Sequence, residues 1–256
     1  MDLGLAGRVV LITGAGGGTG PTIARAFADD GAAVALHQRA AGSPGEPSRA
    51  EQTAADIVAG GGRALAVAAD LRSTDEVTAM IDRIASDLGP VAVLVTATSA
   101  YRNEPFTEIA DDHWASVVDD MLGAVFRTCR AVVPGMQQAG FGRIVNVAAR
   151  SGPVGVARAA HYAAAKAGIV GLTASLAKEL GPSGILVNAV APTQILTSRD
   201  GQPSIPEERA ATMVKSIPVR RLATPADLAA VVLWLGSAAN TYVSGETISL
   251  TGGAQS

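Results

Sequence analysis

The chain has 256 residues, of which 48% are hydrophobic and 17% are charged, a balance that supports a sizeable core and excludes intrinsic disorder. A net charge of −3 without a dense Lys/Arg cluster argues against a nucleic-acid partner. The single cysteine, Cys129, excludes an internal disulfide, and the three histidines lack the spacing of metal ligands, so no metal site is predicted.

The first seven residues contain neither the basic start nor the apolar run of a secretory signal. No stretch of about 18 uninterrupted apolar residues occurs, so we expect no membrane span and no membrane partner. The sequence therefore predicts a cytoplasmic protein.

Short β-branched runs alternate with helical stretches along the chain, and the runs are apolar almost without alternation. Such runs are typical of strands covered on both faces in a parallel sheet. We predict an α/β fold, a single doubly wound Rossmann domain over 1–256 with a seven-stranded parallel sheet and helices on both faces. The predicted strands are 8–12, 33–37, 64–68, 91–96, 143–147, 185–190 and 246–250. Four helices are predicted with bounds: 19–30, 109–138, 161–180 and 225–237. Two more are predicted by their starts, one after a Gly/Pro/Ser-rich loop at 40–49 and one capped by Ser73 or Thr74.

The segment 192–217 breaks this rhythm, because it is polar and contains Pro203 and Pro206 before helical spacing resumes at 207–215. A long excursion of this kind is more often functional than a simple connector. We interpret it as a substrate lid.

A glycine-rich turn, TGAGGGTG, follows the first predicted strand and leads into a helix. A helix N-terminus binds a pyrophosphate through its free N–H groups and its dipole, and a Cβ in the turn would block that approach. The spacing differs from the commoner G-x-G-x-x-G pattern. The turn nevertheless predicts a dinucleotide site that includes Gly14, Gly17, Gly18, Thr19 and Gly20.

The end of the second predicted strand indicates which nucleotide binds. An NAD enzyme of this fold has Asp or Glu there for the ribose 2′-hydroxyl, whereas this chain has His37-Gln38-Arg39. Arg39 could bind the 2′-phosphate of NADP through a charge-assisted fork, although it could also be a solvated surface arginine. The missing acid favours NADP(H) in either case.

Tyr162 and Lys166 open the predicted helix 161–180 and lie four residues apart, on one helical face. A free tyrosine has a pKa of about 10, and we expect the nearby ammonium group to lower that pKa. Tyr162 would then act as a general acid at neutral pH. Its position just after the fifth strand of a chain with a glycine turn favours catalysis over an ordinary helix surface.

These motifs, T-G-x-x-x-G-x-G and Y-x-x-x-K in this order and spacing, resemble the short-chain dehydrogenase/reductase family over essentially the whole chain. The resemblance implies hydride transfer between a nicotinamide and a carbonyl or carbinol carbon, with Tyr162 as the acid and Lys166 holding the nicotinamide ribose. It also implies a homotetramer packed through the two long helices and the C-terminal helix and strand. The further cofactor contacts that it implies are Asp70, Leu71, Thr96, Pro192, Ile195 and Thr197.

The chain departs from the family pattern at two catalytic positions. Ala149 stands where the family has a serine, and Met121 aligns with the family's asparagine. Ser151 is the predicted replacement, because residues two apart point the same way if the strand stays extended to its end. Ser151 could also be an ordinary loop serine. Alternatively, the substrate ketone could accept a hydrogen bond from a phenol of the same molecule, and its carbonyl would then need less polarisation by the protein. This points to an aromatic polyketide, and the chain resembles tailoring ketoreductases of such pathways.

Three functions therefore compete. The first is an NADPH-dependent ketoreductase acting on a hydrophobic, polycyclic aromatic ketone or the matching alcohol. The second is a nucleotide-binding sensor or scaffold without turnover, and the third is a non-redox step such as dehydration on the same scaffold. The expected pocket walls are Tyr101, Phe106, Val154 and Val156. The adjacent Asp119 and Asp120 are interpreted as a solvated helix face, because neighbours on a helix cannot share one ligand direction.

Overall fold

A computed structural model describes residues 2–39, 47–199 and 202–254 of the protein. Most of the predicted loop at 40–49 and two residues of the predicted lid lie outside the described residues. The strands are β1 (Val9–Thr13), β2 (Ala33–Gln38), β3 (Arg63–Ala68), β4 (Val91–Thr96), β5 (Gly142–Val147), β6 (Ile185–Pro192), β7 (Ser198–Arg199), β8 (Gln202–Pro203) and β9 (Thr247–Leu250). The α-helices are α1 (Gly20–Asp29), α2 (Arg49–Ala59), α3 (Thr74–Asp87), α4 (Asp111–Val118), α5 (Ala124–Ala139), α6 (Ser151–Val154), α7 (Ala160–Leu180), α8 (Glu207–Ser216) and α9 (Pro225–Leu235).

Seven of these strands form one parallel sheet in the order β3-β2-β1-β4-β5-β6-β9. The predicted doubly wound α/β fold is thereby confirmed. The strand order reverses between β1 and β4, and in sheets of this kind ligands bind in the crevice outside the carboxyl ends of the strands at that point. The topology alone thus places the site where β1, β2, β4 and β5 end.

Apolar side chains alternate between the two faces of the sheet, and each face has its own core. Val9 and Leu11 of β1 belong to one cluster, while Val10 and Ile12 belong to the other. The first cluster contains buried residues of α3, α5 and α7, and the second contains buried residues of α1, α2 and α9. Because helices cover both faces, the strands can be apolar at every position, which is why they were recognisable in the sequence.

The long helix predicted over 109–138 is interrupted. A π-helical segment, Asp119–Gly123, separates α4 from α5. The Asp119 carboxylate reaches Arg127 at 2.7 Å by lying across Gly123, where a Cβ would overlap that carboxylate. Wide turns of this type occur mostly as single insertions in α-helices and often at functional sites.

Other helix ends and the excursion agree with the sequence in their main features. Ser73 caps α3, since its hydroxyl accepts a hydrogen bond from the Glu76 amide at 3.2 Å. The excursion at 192–217 contains the short antiparallel pair β7–β8 and α8. Within the described part of the chain, no helix is long and apolar enough to cross a membrane.

Candidate active site

A cleft of about 650 Å³ lies at the carboxyl ends of the central strands, a volume typical of sites for small ligands and cofactors. The structure brings eight of the predicted cofactor residues together on its walls: Gly14, Gly17, Gly18, Thr19, Arg39, Asp70, Leu71 and Thr197. The cleft therefore joins the glycine turn to the ends of β2 and β3 and to the excursion after β6.

The glycine turn has the geometry that a phosphate cradle requires. Gly14 has a φ of +71°, and a Cβ there would lie 2.7 Å from the Ala97 carbonyl oxygen. A Cβ on Gly18 would lie 2.7 Å from the Thr197 side chain. No side chain caps the N-terminus of α1, so its first amides are available to an anion. The residues present thus fit a dinucleotide pyrophosphate.

The His37 side chain, on β2, connects the glycine turn to the residue that follows β3 through hydrogen bonds. Its Nδ1 accepts a hydrogen bond from the Gly14 amide at 3.3 Å, and its Nε2 donates to the Ala69 carbonyl oxygen at 2.9 Å. Burial lowers the pKa of His37, which agrees with a neutral ring that accepts at one nitrogen and donates at the other. The imidazole is therefore a structural link beneath the cleft.

Charged side chains surround the far end of the cleft. Arg39 donates to Asp120 at 2.7 Å, and Arg72 donates to Asp70 at 2.5 Å. Hydrogen bonds from Arg72 lower the pKa of Asp70 to about 2. The interpretation of Asp120 as part of a solvated helix face is wrong: its side chain is only 12% exposed and lines the cleft, because the π-helical segment turns it inward.

Lys166 is buried, with 2% of its surface exposed. Its Nζ donates to the Val147 carbonyl oxygen at 2.8 Å and to the Thr98 carbonyl oxygen at 3.2 Å. The ammonium group thus lies between the ends of β5 and β4. Burial lowers the pKa of Lys166 to about 8.

Tyr162 lies beside Lys166, whose ammonium group bonds Thr98 on the wall of the cleft. The Tyr101 ring meets the Tyr162 ring edge to face with centroids 5.2 Å apart, and hydrogen bonding by the Ser99 and Ser151 side chains lowers the pKa of the phenol. Burial and Tyr101 raise the pKa of Tyr162, while the two serines act in the opposite direction. Desolvation of the phenol dominates this pKa. The expected lowering, for which the positive charge of the oxidised nicotinamide is invoked together with Lys166, stays a prediction.

Ser151 reaches the phenol by a route that the sequence did not predict. The premise of an extended strand is wrong, since β5 ends at Val147 and Ser151 is the first residue of the four-residue helix α6. This short helix lies against α7: a Cβ on Gly152 would be 2.9 Å from the Ala167 amide nitrogen. The absence of a side chain at Gly152 thus lets α6 bring Ser151 to Tyr162.

A carboxylate of the loop after β4, that of Glu104, lies close to two histidine rings. Glu104 lies 3.0 Å from Nδ1 of His113 and 3.6 Å from Nε2 of the buried His161. His161 Nδ1 accepts a hydrogen bond from the Tyr162 amide, so the ring hydrogen is on Nε2, on the side of Glu104. Tyr101 and Glu104 of this loop therefore lie beside Tyr162 and the preceding His161, respectively.

Some predicted contacts lie elsewhere. The Thr96 hydroxyl donates to Asn146 at 2.8 Å inside the sheet, and Gly20 packs against Ala15 at the start of α1. Pro192 is buried, and its carbonyl oxygen accepts from the Arg150 amide at 2.9 Å. Ile195 packs against the core that contains α1 and α9. None of these four residues lines the cleft, and neither do Tyr162 and Lys166, which lie behind its wall next to Thr98.

The sequence placed 99–106 along the substrate pocket but gave Ser99 no role at the phenol, and it missed Arg72 and Asp120, which the structure brings to the cleft. Ser99 and Tyr162 are far apart in the chain, so no local pattern connects them. The only available signal was position: Ser99 follows β4 and Arg72 follows β3, at the edge where ligands bind in this fold.

Comparison with known proteins supplies the family. A model of the short chain dehydrogenases matches residues 8–206. The chain is 36% identical over 251 residues to the 3-oxoacyl-[acyl-carrier-protein] reductase of Pseudomonas aeruginosa, with 98% of each chain covered. The chain belongs to the short-chain dehydrogenase family. It is therefore an oxidoreductase that acts on the CH–OH/C=O pair, in a family that binds a nicotinamide cofactor.

Further relatives and solved structures agree. The acetoacetyl-CoA reductase of Allochromatium vinosum is 32% identical over 246 residues, which cover 96% of this chain and 98% of the relative. A structure from Agrobacterium tumefaciens, described as a candidate gluconate dehydrogenase, superimposes with a TM-score of 0.90 at 30% identity and covers 99% of this chain and 98% of its own. A candidate short-chain alcohol dehydrogenase from Sinorhizobium meliloti 1021 gives the same TM-score and coverage at 31% identity.

Proposed function

We propose that this short-chain dehydrogenase is an NADPH-dependent ketoreductase that reduces a hydrophobic ketone, with Tyr162 as the general acid. One observation carries the proposal: Lys166 Nζ, bonded to the Val147 and Thr98 carbonyl oxygens at the carboxyl ends of β5 and β4, lies 6.0 Å from the Tyr162 ring centroid. Ser99 and Ser151 also lower the pKa of this phenol, in a site where Ala149 replaces the family's serine. The names of two relatives, which are reductases of 3-oxoacyl and acetoacetyl substrates, also favour ketone reduction.

The proton comes from the phenol. When bound, the reduced nicotinamide supplies the hydride that converts the carbonyl carbon to a carbinol carbon. Tyr162 donates its proton to the carbonyl oxygen, which leaves a phenolate. The Ser99 and Ser151 hydroxyls stabilise that phenolate by hydrogen bonding, and the Lys166 ammonium, 6.0 Å from the ring centroid, stabilises its charge. A proton from solvent then restores the phenol.

Residues of the cleft support the choice of NADPH. No carboxylate follows β2 at positions 37–39, so the contact that selects for NAD is missing. Arg39 and Arg72 both line the far end of the cleft and could bind a 2′-phosphate. Lys166 would hold the nicotinamide ribose at the opposite end, next to Tyr162.

The substrate is proposed to be apolar and flat. Tyr101, Phe106, Val154 and Val156 are exposed on the segments beside Tyr162. Met121, which occupies the family's asparagine position, is buried against Val117 and Ala165. A polycyclic aromatic ketone of the polyketide type fits these walls, and its own phenol could add polarisation that Ala149 does not provide. Cytoplasmic location remains a prediction from the sequence.

The test is reduction of a panel of polycyclic ketones, followed by loss of absorbance at the nicotinamide band. Tyr162→Phe should abolish turnover with nearly unchanged NADPH affinity, because only the proton donor is lost. Ser151→Ala and Ser99→Ala should each lower kcat about tenfold or more, since each removes one donor to the developing phenolate. The double variant should lose more than either single variant.

Each alternative gives a different result. A fully active Tyr162→Phe enzyme would contradict the acid assignment, and an unchanged rate in Ser151→Ala would remove that residue from the mechanism. Binding of NADPH without oxidation across the whole panel would favour a sensor or scaffold. Product formed without loss of NADPH would favour a non-redox reaction.

A further inference from the structure

Four charged side chains form a chain across the far end of the cleft. Asp120 Oδ1 lies 2.7 Å from Arg39 Nη2 and 3.8 Å from Arg72 Nε. Arg72 Nη2 lies 2.5 Å from Asp70 Oδ2. The Asp120 carboxylate therefore lies between two guanidinium groups, one that follows β2 and one that follows β3.

The two side chains of the Arg39–Asp120 pair differ in how far they are exposed to solvent. The Asp120 side chain is 12% exposed and is held by the π-helical segment, whereas the Arg39 side chain is 61% exposed. The guanidinium can therefore change partners while the carboxylate stays in place. A carboxylate and a phosphate offer a guanidinium the same kind of oxygen acceptor, so they are interchangeable partners.

Because the charges at this end of the cleft are balanced, a phosphate would compete with the aspartate carboxylates for the guanidinium groups. Two arginines and two aspartates at this end of the cleft sum to zero, so the guanidinium groups that would bind a phosphate are already neutralised by carboxylates. A phosphate that binds Arg39 competes with Asp120 for the same guanidinium, and it then stands close to the Asp120 carboxylate.

We propose that Asp120 competes with the nucleotide's 2′-phosphate for Arg39, and thereby limits the affinity for NADP(H). The inference rests on the proposed use of NADPH and deepens it, since it names the residue that sets the strength of 2′-phosphate recognition. A nucleotide without that phosphate has no anion to exchange for Asp120. The competition also favours release of the oxidised nucleotide after each turnover, a step that limits many enzymes.

The experiment uses adenosine 2′,5′-bisphosphate and 5′-AMP, which probe the adenosine end without the nicotinamide. Their affinities for the full-length protein are measured by isothermal titration calorimetry. Asp120→Asn should tighten binding of the bisphosphate about fivefold and change that of 5′-AMP less than about twofold, the range expected when one exposed ion-pair partner is removed. The gain should shrink at high salt, because ions screen the remaining charges.

Asp119→Asn is the matched control. It removes the same charge one residue away, where the carboxylate pairs with Arg127 instead of lining the cleft. We expect this variant to bind both probes as the unmodified protein does. Thermal unfolding establishes that each variant is folded, and Asp120→Ser repeats the test if the asparagine variant is not.

The pair can also be tested directly. Arg39→Ala should weaken bisphosphate binding, and adding Asp120→Asn to it should produce little of the gain seen alone, because the two residues are coupled. An Asp120→Asn protein whose bisphosphate affinity is unchanged or weaker would overturn the inference. If the unmodified protein bound the bisphosphate and 5′-AMP equally well, the NADPH proposal would be contradicted. In that case the Asp120 inference would still be supported only if Asp120→Asn made the protein prefer the bisphosphate.

Discussion

Lys166 is buried and Tyr162 is half-buried beside the cleft, and desolvation shifts each pKa toward the neutral side chain. The pKa of Lys166 falls to about 8, and that of Tyr162 rises above its ordinary value. At neutral pH the phenol therefore keeps its proton and the lysine keeps its charge. This is the protonation state that ketone reduction needs, and it is unfavourable for the reverse reaction, in which the tyrosine must act as a base.

The shift of Lys166 predicts how stability depends on pH. The folded protein releases this proton near pH 8, whereas the unfolded chain holds it up to the ordinary value of 10.5. Between these values the unfolded state binds more protons, so the contribution of Lys166 to the free energy of unfolding rises with pH. Relative to Lys166→Met, the protein should gain on the order of 2–3 kcal/mol across this window in urea unfolding. A difference that stays constant with pH would show that Lys166 is not desolvated as described.

The short helix α6 determines where one of the two phenol donors lies. It follows β5 after only three residues and rests on α7 through Gly152. Its position is thus set by the space between two backbones and not by its own helical tendency, since four residues are too few to form a stable helix alone.

Gly152→Ala should therefore reduce activity without unfolding the protein. The new Cβ would lie 2.9 Å from the Ala167 amide nitrogen, so α6 must move away from α7 and carry Ser151 from the phenol. We expect kcat to fall about as much as in Ser151→Ala, roughly tenfold, because the same donor is displaced. Steady-state kinetics with the best ketone of the panel provide the measurement.

Gly171→Ala is the control for that substitution. It introduces the same methyl group into α7 at an exposed site with nothing within 4 Å. This variant should keep full activity and gain about 0.5–1 kcal/mol of stability, because alanine is the better helix former. If both variants lost activity equally, the close approach at Gly152 would not be the cause.

At the level of elements, the sequence predicted what continuous apolar runs and caps encode. All seven sheet strands lie within two residues of their predicted ends, and Ser73 caps α3 as expected. The π-helical segment and α6 were missed, because both depend on contacts made after the elements pack. Asp119 reaches Arg127 only across Gly123, and no periodicity within one helix predicts such a turn.

At the level of the whole molecule, the site forms where loops from distant parts of the chain meet. The glycine turn and the Tyr162–Lys166 pair were predictable, because each is a local pattern with a chemical reason. Ser99 and Asp120 were not, since their roles depend on which loops the strand order brings together. The interpretation of Asp120 was wrong for this reason: its partner, Arg39, is 81 residues away along the chain.

The homotetramer implied by the family resemblance stays a prediction, and surface side chains allow a test. Phe126 is exposed on α5, one of the helices expected at an interface. Phe126→Asp should split the tetramer, because it replaces an apolar ring beside Arg130 by a carboxylate that the interface would have to desolvate. Light scattering after size exclusion should give four times the chain mass of 25.7 kDa for the unmodified protein and a smaller assembly for the variant. Val58→Asp, an equally exposed change on α2, should leave the mass unaltered.

The position of the loop after β4, beside the start of α7, has a consequence for substrate range. Ser99, Tyr101 and Glu104 of that loop contact the tyrosine or the histidine before it, and the same loop provides one wall of the pocket. A substrate too bulky for the pocket would displace this loop, and the side chains around Tyr162 would be displaced with it. Substrate size would then affect kcat as well as affinity. Ketones that fit poorly would bind but would be reduced slowly.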